Sequence, residues 1–294
     1  MADWLTALTL VQPGADYMLS IYMVRRVLYR GRSRYQEIAV VELEGFGRTL
    51  LLDNLIQSTE LDEHIYHESL VQPAMVTHPS PKRVLVLGGG EGATLREVLK
   101  HSTVEEAVMV DIDEQVIEVC KKYLPEWSSG AFDDPRTRLV IADGAKYVRE
   151  ASRRGEEFDV VVMDLTDPFG SEIAKHLYSK EFMEEIASIL RDDGLMVTQA
   201  GCSYVYPKEY MMAYRAVEAV YPIVAEYASL IPSFAYANNF IIGSKKYDPR
   251  RLSEEEVEER LRQRNVKTRF YNGSVHTAFF KMPVLKLEPL HGNP

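Results

Sequence analysis

The sequence predicts an α/β protein in which a doubly wound sheet follows a small antiparallel β domain. Two patterns lead to this fold class. Residues 20–60 contain short β-type runs separated by turns, and residues 82–201 alternate apolar strand-like runs with helical segments. Because parallel strands need helical crossovers, the second pattern is typical of a sheet with helices on both faces and right-handed connections.

The first pattern predicts an antiparallel meander made of IYMVRRVLY, EIAVVEL, RTLLLD and LIQST. A helical segment, HIYHESLVQPAM at 64–75, follows it, and HPSPK at 78–82 then interrupts the chain. We place the domain boundary at this interruption. The N-terminal β-strand domain is therefore predicted at 1–78 and the α/β domain at 79–294.

The second pattern predicts the parallel sheet. Its strands are KRVLVLGG, EAVMVDID, RLVIADG, FDVVVMDL and GLMVTQAG, and its helices are GATLREVLKH, EQVIEVCKKYLP, AKYVREAS and SKEFMEEIASILR. Continuous apolar runs indicate strands that are buried on both faces. IVAEYASLIP and FAYANNFIIGSK are predicted as two further strands, antiparallel at one edge, and SEEEVEERLRQRN is predicted as an exposed helix.

Composition narrows the classes of function. A formal charge of −10 argues against a nucleic-acid partner, whose affinity would come from clustered Lys and Arg. No apolar run reaches 18 residues and the first residues lack a basic signal-peptide segment, so we expect no membrane partner and a cytoplasmic location. Cys120 and Cys202 are too few for a disulfide framework or a zinc site.

The residues that follow the predicted strands carry the candidate chemistry, because ligands of open α/β sheets bind outside the carboxyl ends of the strands. In chain order these ends carry Gly88, Gly89, Gly90, Glu91 and Gly92, then Asp111 and Asp113, then Asp143 and Gly144, then Asp164 and Asp167, and last Gln199, Ala200 and Gly201. Unpaired carboxylates beside a core are unfavourable. The series therefore indicates a cationic ligand or a catalytic site.

The first three strand ends predict a nucleoside ligand. Glycines at the first turn allow the backbone to approach a ligand closely, although such a turn alone also fits a purely structural connection. Asp111 follows Gly88 by 23 residues, a spacing that suits a carboxylate accepting from both ribose hydroxyls. The type and location of Asp143 suit an adenine amino group.

Glu91 discriminates among nucleoside ligands. It would repel a pyrophosphate at this helix N-terminus, which disfavours NAD, and it is a poor neighbour for the carboxylate of S-adenosylmethionine. Decarboxylated S-adenosylmethionine ends instead in a primary ammonium that Glu91 can pair with. The residues thus favour an aminopropyl donor. The alternatives are a methyltransferase that uses intact S-adenosylmethionine, and a non-catalytic nucleoside-binding regulatory subunit.

The chain resembles the polyamine aminopropyltransferases, the spermidine synthase family. The resemblance rests on YQE at 35–37, DNLIQSTELDEHIYHESL, VLVLGGGEGATLREVLKH, VDID, ADG, DLTDP, TQAG, IPSF and YNGSVHTAFFKMP, in this order along most of the chain after residue 30. DLTDP combined with TQAG is most similar to thermospermine synthases and agmatine-using members.

The resemblance implies a Rossmann-like catalytic domain, a homodimer or homotetramer, and a role in polyamine and spermidine biosynthesis. It implies no metal and no cofactor, with decarboxylated S-adenosylmethionine as co-substrate. The residues implied to hold this donor are Gln36, Gln57, His67, Gly88, Gly90, Glu91, Asp111, Asp143 and Gly144. Those implied to face the acceptor are Tyr66, Asp164, Asp167, Gln199 and Phe234, with a gate at 168–178.

The expected reaction needs a base, because the attacking nitrogen of a polyamine must lose a proton. We assign Asp164 to this role, assisted by the Tyr66 hydroxyl, with Asp167 as a charge partner of the acceptor and His67 as the rival base. The gate is about two residues longer than the family's familiar form, Phe234 replaces a tyrosine that is common in the family, and Gly201 has no side chain where some putrescine-using members carry an acid. These departures favour spermidine or agmatine as the acceptor, with putrescine as the alternative.

Overall fold

The structure, a computed structural model, describes residues 8–15, 18–166 and 176–286 and contains two sheets in this part of the chain. The N-terminal sheet has its strands in sequence order, and each strand is antiparallel to the next. Its strands are β1 (Leu8–Ala15), β2 (Met18–Arg32), β3 (Glu37–Leu43), β4 (Gly47–Leu52) and β5 (Leu55–Thr59). The predicted meander is confirmed, and β1 is an additional strand.

The second sheet has the order β11-β12-β10-β9-β6-β7-β8. Its strands are β6 (Arg83–Gly88), β7 (Glu106–Asp111), β8 (Thr137–Ile141), β9 (Phe158–Asp164), β10 (Leu190–Gln199), β11 (Ile223–Ile231) and β12 (Tyr236–Ser244). Strands β6 to β10 are parallel, and β12 and β11 complete one edge in antiparallel pairing. The predicted doubly wound, Rossmann-like fold class is confirmed.

Helices cover both faces of this sheet. In the described residues they are α1 (Glu63–Thr77), α2 (Ala93–Leu99), α3 (Glu114–Tyr123), α4 (Pro125–Ser128), α5 (Gly144–Arg153), α6 (Lys180–Ser188), α7 (Pro207–Glu218), α8 (Glu254–Gln263) and α9 (Gly273–Lys281). None of these helices combines the length and the apolar character needed to cross a bilayer.

The central strands are buried on both faces, which explains their continuous apolar runs. The side chains of Val84, Val86, Val160 and Val162 are fully inaccessible to solvent. Fully burying each such side chain stabilises the folded state by about 1.5–3 kcal/mol, so the middle of the sheet is stable. The polar residues at the carboxyl ends are thereby held on a rigid frame.

Helix α1 is buried on almost all sides and brings polar side chains into the interior. It packs against α2 and β10. At its end, Arg264 donates to the carbonyl oxygens of Met75 at 2.6 Å and His78 at 2.8 Å. The guanidinium thus satisfies carbonyls that the helix leaves without partners. The domain boundary after residue 78 stays a prediction.

Candidate active site

Four parallel strands bring the candidate residues to one edge of the sheet. Because β9, β6, β7 and β8 are neighbours, Asp164, the turn after Gly88, Asp111 and the turn at Asp143 lie in a row. Helix α1 adds Tyr66 and His67 to this row. The structure therefore brings together residues that are up to about a hundred positions apart in sequence.

The turn after β6 depends on glycine at two positions. Gly88 has φ +80°, and a Cβ there would lie 2.2 Å from the carbonyl oxygen of Asp164. A Cβ at Gly90 would lie 2.9 Å from a carboxylate oxygen of Asp111. Both glycines therefore permit strand-end carboxylates to approach the turn that opens α2.

Asp164 accepts a hydrogen bond on each carboxylate oxygen. The Tyr66 hydroxyl donates to Oδ1 at 2.9 Å, and the Thr94 hydroxyl donates to Oδ2 at 2.6 Å. Burial raises the pKa of Asp164 above its ordinary value, whereas the nearby His67 and the Thr94 hydrogen bond lower it. The group is thus held as a carboxylate that is more basic than one in water.

Glu91 is buried and held by groups from different parts of the fold. His67 Nε2 lies 2.6 Å from Glu91 Oε1, and the hydroxyl of Ser58 on β5 donates to Oε2 at 2.7 Å. The indole Nε1 of Trp127 donates in turn to the Ser58 oxygen at 2.8 Å. The N-terminal sheet therefore takes part in fixing the glutamate that distinguishes this turn.

His67 lies between two carboxylates. Its Nδ1 is 2.6 Å from the carbonyl oxygen of Glu63 and 3.0 Å from that residue's Oε2, and its Nε2 faces Glu91. Burial alone would lower the pKa of His67, but Glu91 and Glu63 together raise it to about 10. A histidine that is already protonated at neutral pH cannot accept a proton, which argues against His67 as the base.

The expected ribose end of the site is organised by Asp113. Its Oδ2 accepts from the Gln36 amide at 2.9 Å and from the Ser33 hydroxyl at 2.6 Å. Its backbone N–H donates to Asp111 Oδ1 at 2.8 Å. Burial raises the pKa of Asp111 to about 6. Asp113 thus links the N-terminal domain to the carboxylate that is expected to meet the ribose.

Two other donor-site candidates have structural partners. Asp143 is the N-cap of α5, where its Oδ1 accepts from the N–H of Lys146 at 2.9 Å. The Gln57 amide donates to the carbonyl oxygen of Leu55 at 3.1 Å. Gly144 begins α5 directly after the cap.

The acceptor candidates form a second group around Tyr66. The Phe234 ring lies 5.8 Å from the Tyr66 ring. The Gln199 amide donates to the Leu165 carbonyl oxygen at 2.8 Å and to the Tyr178 hydroxyl at 3.0 Å. Asp167 and residues 168–175 of the expected gate lie outside the described residues.

Several polar partners of the site were not predicted from the sequence, namely Ser33, Ser58, Thr94 and Glu63. The i, i+4 spacing of Glu63 and His67 on a predicted helix is a signal that would have found one of these pairs. Ser58 and Ser33 gave no such signal, because their partners come from another domain.

Comparisons with known proteins identify the family of the chain. Residues 63–252 match the spermine/spermidine synthase domain, and residues 7–60 match the spermidine synthase tetramerisation domain. The chain belongs to the spermine/spermidine synthase family. Polyamine aminopropyltransferase 1 of Hyperthermus butylicus is 56% identical over 280 residues, which cover 95% of this chain and 96% of that protein. The polyamine aminopropyltransferase of Pyrobaculum arsenaticum is 58% identical over 279 residues, which cover 95% of this chain and 96% of that protein.

Two solved structures are also similar to the chain. A spermidine synthase in complex with the transition-state analogue AdoDATO is 36% identical and has a TM-score of 0.87. The match covers 94% of this chain and 92% of that chain. Spermidine synthase from Thermotoga maritima is 36% identical with a TM-score of 0.85, with 95% of this chain and 92% of that chain covered.

The chain is therefore an enzyme of aminopropyl transfer. It moves the aminopropyl group of decarboxylated S-adenosylmethionine, its co-substrate, to an amine and releases 5′-methylthioadenosine. This finding sets aside the methyltransferase and the regulatory subunit. The match of residues 7–60 to a tetramerisation domain also supports an oligomer.

Proposed function

We propose that Asp164 accepts the proton of the attacking ammonium, with Tyr66 as its hydrogen-bond partner, and that the preferred acceptor is spermidine or agmatine. The main support for Asp164 as the base is the contact of 2.9 Å between the Tyr66 hydroxyl and Asp164 Oδ1. A catalytic base must be ionised when the substrate arrives and basic enough to take a proton. Two hydrogen-bond donors favour the first condition, and the pKa raised by burial favours the second.

The transfer then follows from the chemistry of the two substrates. The proton of the acceptor ammonium passes to Asp164, and the freed lone pair forms a bond to the aminopropyl carbon beside sulfur. The C–S bond breaks, and its electron pair goes to sulfur. The sulfonium leaves as a neutral thioether and needs no acid. The protein mainly aligns the substrates and excludes water, effects that are worth on the order of 7–11 kcal/mol.

The donor would be held along the row of strand ends. In this proposal Glu91 pairs with the primary ammonium, Asp111 and Gln36 bind the ribose side, and Asp143 accepts from adenine. The pairing at Glu91 is a charge-assisted hydrogen bond inside a buried site, which is among the stronger polar interactions. The remaining donor-site residues in the proposal are Gln57, His67, Gly88, Gly90 and Gly144.

The preference for a longer amine is supported by the wall beside Tyr66. This wall is aromatic, because the Phe234 ring lies 5.8 Å from Tyr66 and 5.9 Å from Tyr236. Aromatic faces accommodate methylene chains and attract cations without a fixed anionic anchor. Gly201 adds no side chain. In the proposal, Gln199 and Asp167 provide polar contacts for the acceptor, and putrescine, the shortest of the three amines, gains less from the wall.

An acceptor panel tests this preference. Decarboxylated S-adenosylmethionine is supplied with putrescine, spermidine or agmatine, methylthioadenosine release is measured, and products are identified by mass spectrometry. We expect a higher kcat/KM for spermidine or agmatine, with thermospermine or spermine as the product from spermidine. Phe234→Tyr serves as a matched variant and should shift the ratio toward putrescine. A preference of the native enzyme for putrescine would contradict the acceptor assignment and leave that of Asp164 intact.

The proposal also covers assembly and location. We expect a cytoplasmic homodimer or homotetramer formed through the N-terminal sheet. Leu8, Leu19 and Ile21 on β1 and β2 have 58%, 67% and 65% of their residue surface exposed, as is typical of a surface that a second subunit covers. Light scattering on the purified protein tests this, and a monomer at all concentrations would contradict it.

A further inference from the structure

A buried chain of alternating charges runs behind the proposed donor site. Arg96 on α2 pairs with both carboxylate oxygens of Glu63, at 3.1 and 2.9 Å. Glu63 Oε2 lies 3.0 Å from His67 Nδ1, and His67 Nε2 lies 2.6 Å from Glu91 Oε1. The signs alternate from guanidinium to carboxylate to imidazole to carboxylate. A cationic imidazole makes the sum of these four charges zero.

The contacts of His67 determine the protonation state of its ring. Both ring nitrogens face oxygen atoms that only accept, since Nδ1 faces the carbonyl oxygen and carboxylate of Glu63 and Nε2 faces Glu91. A neutral imidazole has a single N–H and would leave one of these oxygens against a bare nitrogen. With both glutamates ionised, only the doubly protonated ring satisfies both sides.

We propose that Glu63, fixed by Arg96, is a positioning residue that keeps His67 doubly protonated, so that His67 donates to Glu91 and offsets part of its charge. This inference rests on the proposed function in one respect, that Glu91 binds the donor ammonium. The aminopropyl group leaves on the cationic product, still carrying that ammonium. A fully uncompensated Glu91 would hold the product as firmly as the donor. The imidazolium limits this attraction and favours release.

The titratable and charged groups around His67 come from several elements. They are Glu63 and Tyr66 on α1, Glu91 after β6, Arg96 on α2 and Asp164 at the end of β9. Among them, Glu63 is the anion that touches His67 without a role in the proposed donor or acceptor contacts. Replacing it therefore separates the state of His67 from substrate binding.

Glu63→Gln is the test variant, and Glu97→Gln is its matched control. Glu97 is also buried and also pairs with Arg96, at 3.0 Å, but its other partners are Gln72 and Lys100 and not His67. Both variants remove one carboxylate from Arg96. Only Glu63→Gln also removes a carboxylate from His67. A variant that only weakens the structure would have a lower melting temperature and an unchanged titration of His67.

The titration of His67 is followed by NMR of ¹⁵N-histidine-labelled enzyme, with its signals assigned by their loss in His67→Asn. In the native enzyme and in Glu97→Gln we expect both ring nitrogens to stay protonated at pH 8, since the pKa of His67 is raised to about 10. In Glu63→Gln we expect the titration to move down by at least about one pH unit. A native His67 that titrates near its ordinary value would overturn the proposal without any variant.

Donor affinity gives the functional readout. In Glu63→Gln the Kd of decarboxylated S-adenosylmethionine should fall at least about threefold as pH rises through the ionisation of His67, because a repelling cation is lost. The Kd of methylthioadenosine, which has no ammonium, should not change. A donor Kd as independent of pH as in Glu97→Gln would refute the positioning role. Failure of the base assignment would appear separately, as activity retained in Asp164→Asn.

Discussion

Replacing Asp164 by asparagine removes a negative charge and a proton-accepting oxygen at nearly constant size. The amide oxygen of the new side chain can still accept from the Tyr66 hydroxyl, which lies 2.9 Å from Oδ1. Its NH₂ group can donate to the Thr94 hydroxyl, which lies 2.6 Å from Oδ2 and also accepts hydrogen bonds. Because both contacts can be kept and a buried charge is removed, we expect normal folding and an unchanged melting temperature.

The loss of activity should be large. Removing a positioned proton acceptor lowers kcat by about 10²- to 10⁴-fold, equivalent to roughly 2.7–5.5 kcal/mol of transition-state stabilisation. The assay is methylthioadenosine release at saturating donor and amine. Donor affinity, measured by calorimetry, should stay within a few-fold of the native value. Tyr66→Phe is the control, because it deletes one hydrogen bond to Asp164 and keeps the base, and should lose only about tenfold. Turnover near the native rate in Asp164→Asn would refute the assignment.

Three further predictions concern the same site. Glu91→Gln should weaken decarboxylated S-adenosylmethionine selectively, and an equal loss of methylthioadenosine affinity would contradict its pairing with the ammonium. Gly88→Ala should lower the free energy of unfolding by at least about 2 kcal/mol, because φ is +80° and the added Cβ meets a backbone oxygen. Gly155→Ala is the control, since its φ is +66° and its Cβ would meet open space, so that it measures the cost of the left-handed backbone alone. Equal losses of unfolding free energy in the two variants would disprove the clash. Folding lowers the pKa of Glu63 from 4.5 to about 2, so its contribution to folding stability is complete above pH 4.5 and is lost as pH falls toward 2. Folding raises the pKa of His67 from 6.5 to about 10, so its contribution is complete below pH 6.5 and is lost as pH rises toward 10. Thermal melting across pH should show the alkaline decline in the native enzyme and not in His67→Gln, and a native curve that stays flat from pH 7 to 10 would count against the charged pair.

The row of strand ends could be predicted because each of its parts is local. A glycine-rich turn or an aspartate directly after an apolar run marks the end of a parallel strand, as Gly88, Asp111 and Asp164 do. The strand order then places these ends side by side. A single sequence contains this information, since strand, turn and helix follow one another without long insertions.

Contacts between distant segments could not be predicted in the same way. Ser58 meets Glu91, and Ser33 meets Asp113, only when the N-terminal sheet packs against the larger domain. Strand β1 was also missed, because Pro13 and Gly14 interrupt its pattern. Helix α9 was recognised as a motif and not as a helix, although Asn272 caps it by accepting from the N–H of Val275 at 2.9 Å.

The hydroxyl of Ser58 has a consequence for how the enzyme behaves on dilution. The strand that carries it is one edge of the N-terminal sheet, and the apolar residues Leu19 and Ile21 lie near the other edge. Antiparallel pairing from β2 to β5 connects the two, with register shifts in the β2–β3 and β4–β5 pairs. In the assembly we propose, subunits that separate expose the outer strands and loosen the sheet that supports Ser58. Specific activity should then depend on enzyme concentration, even when no catalytic side chain comes from a neighbouring subunit.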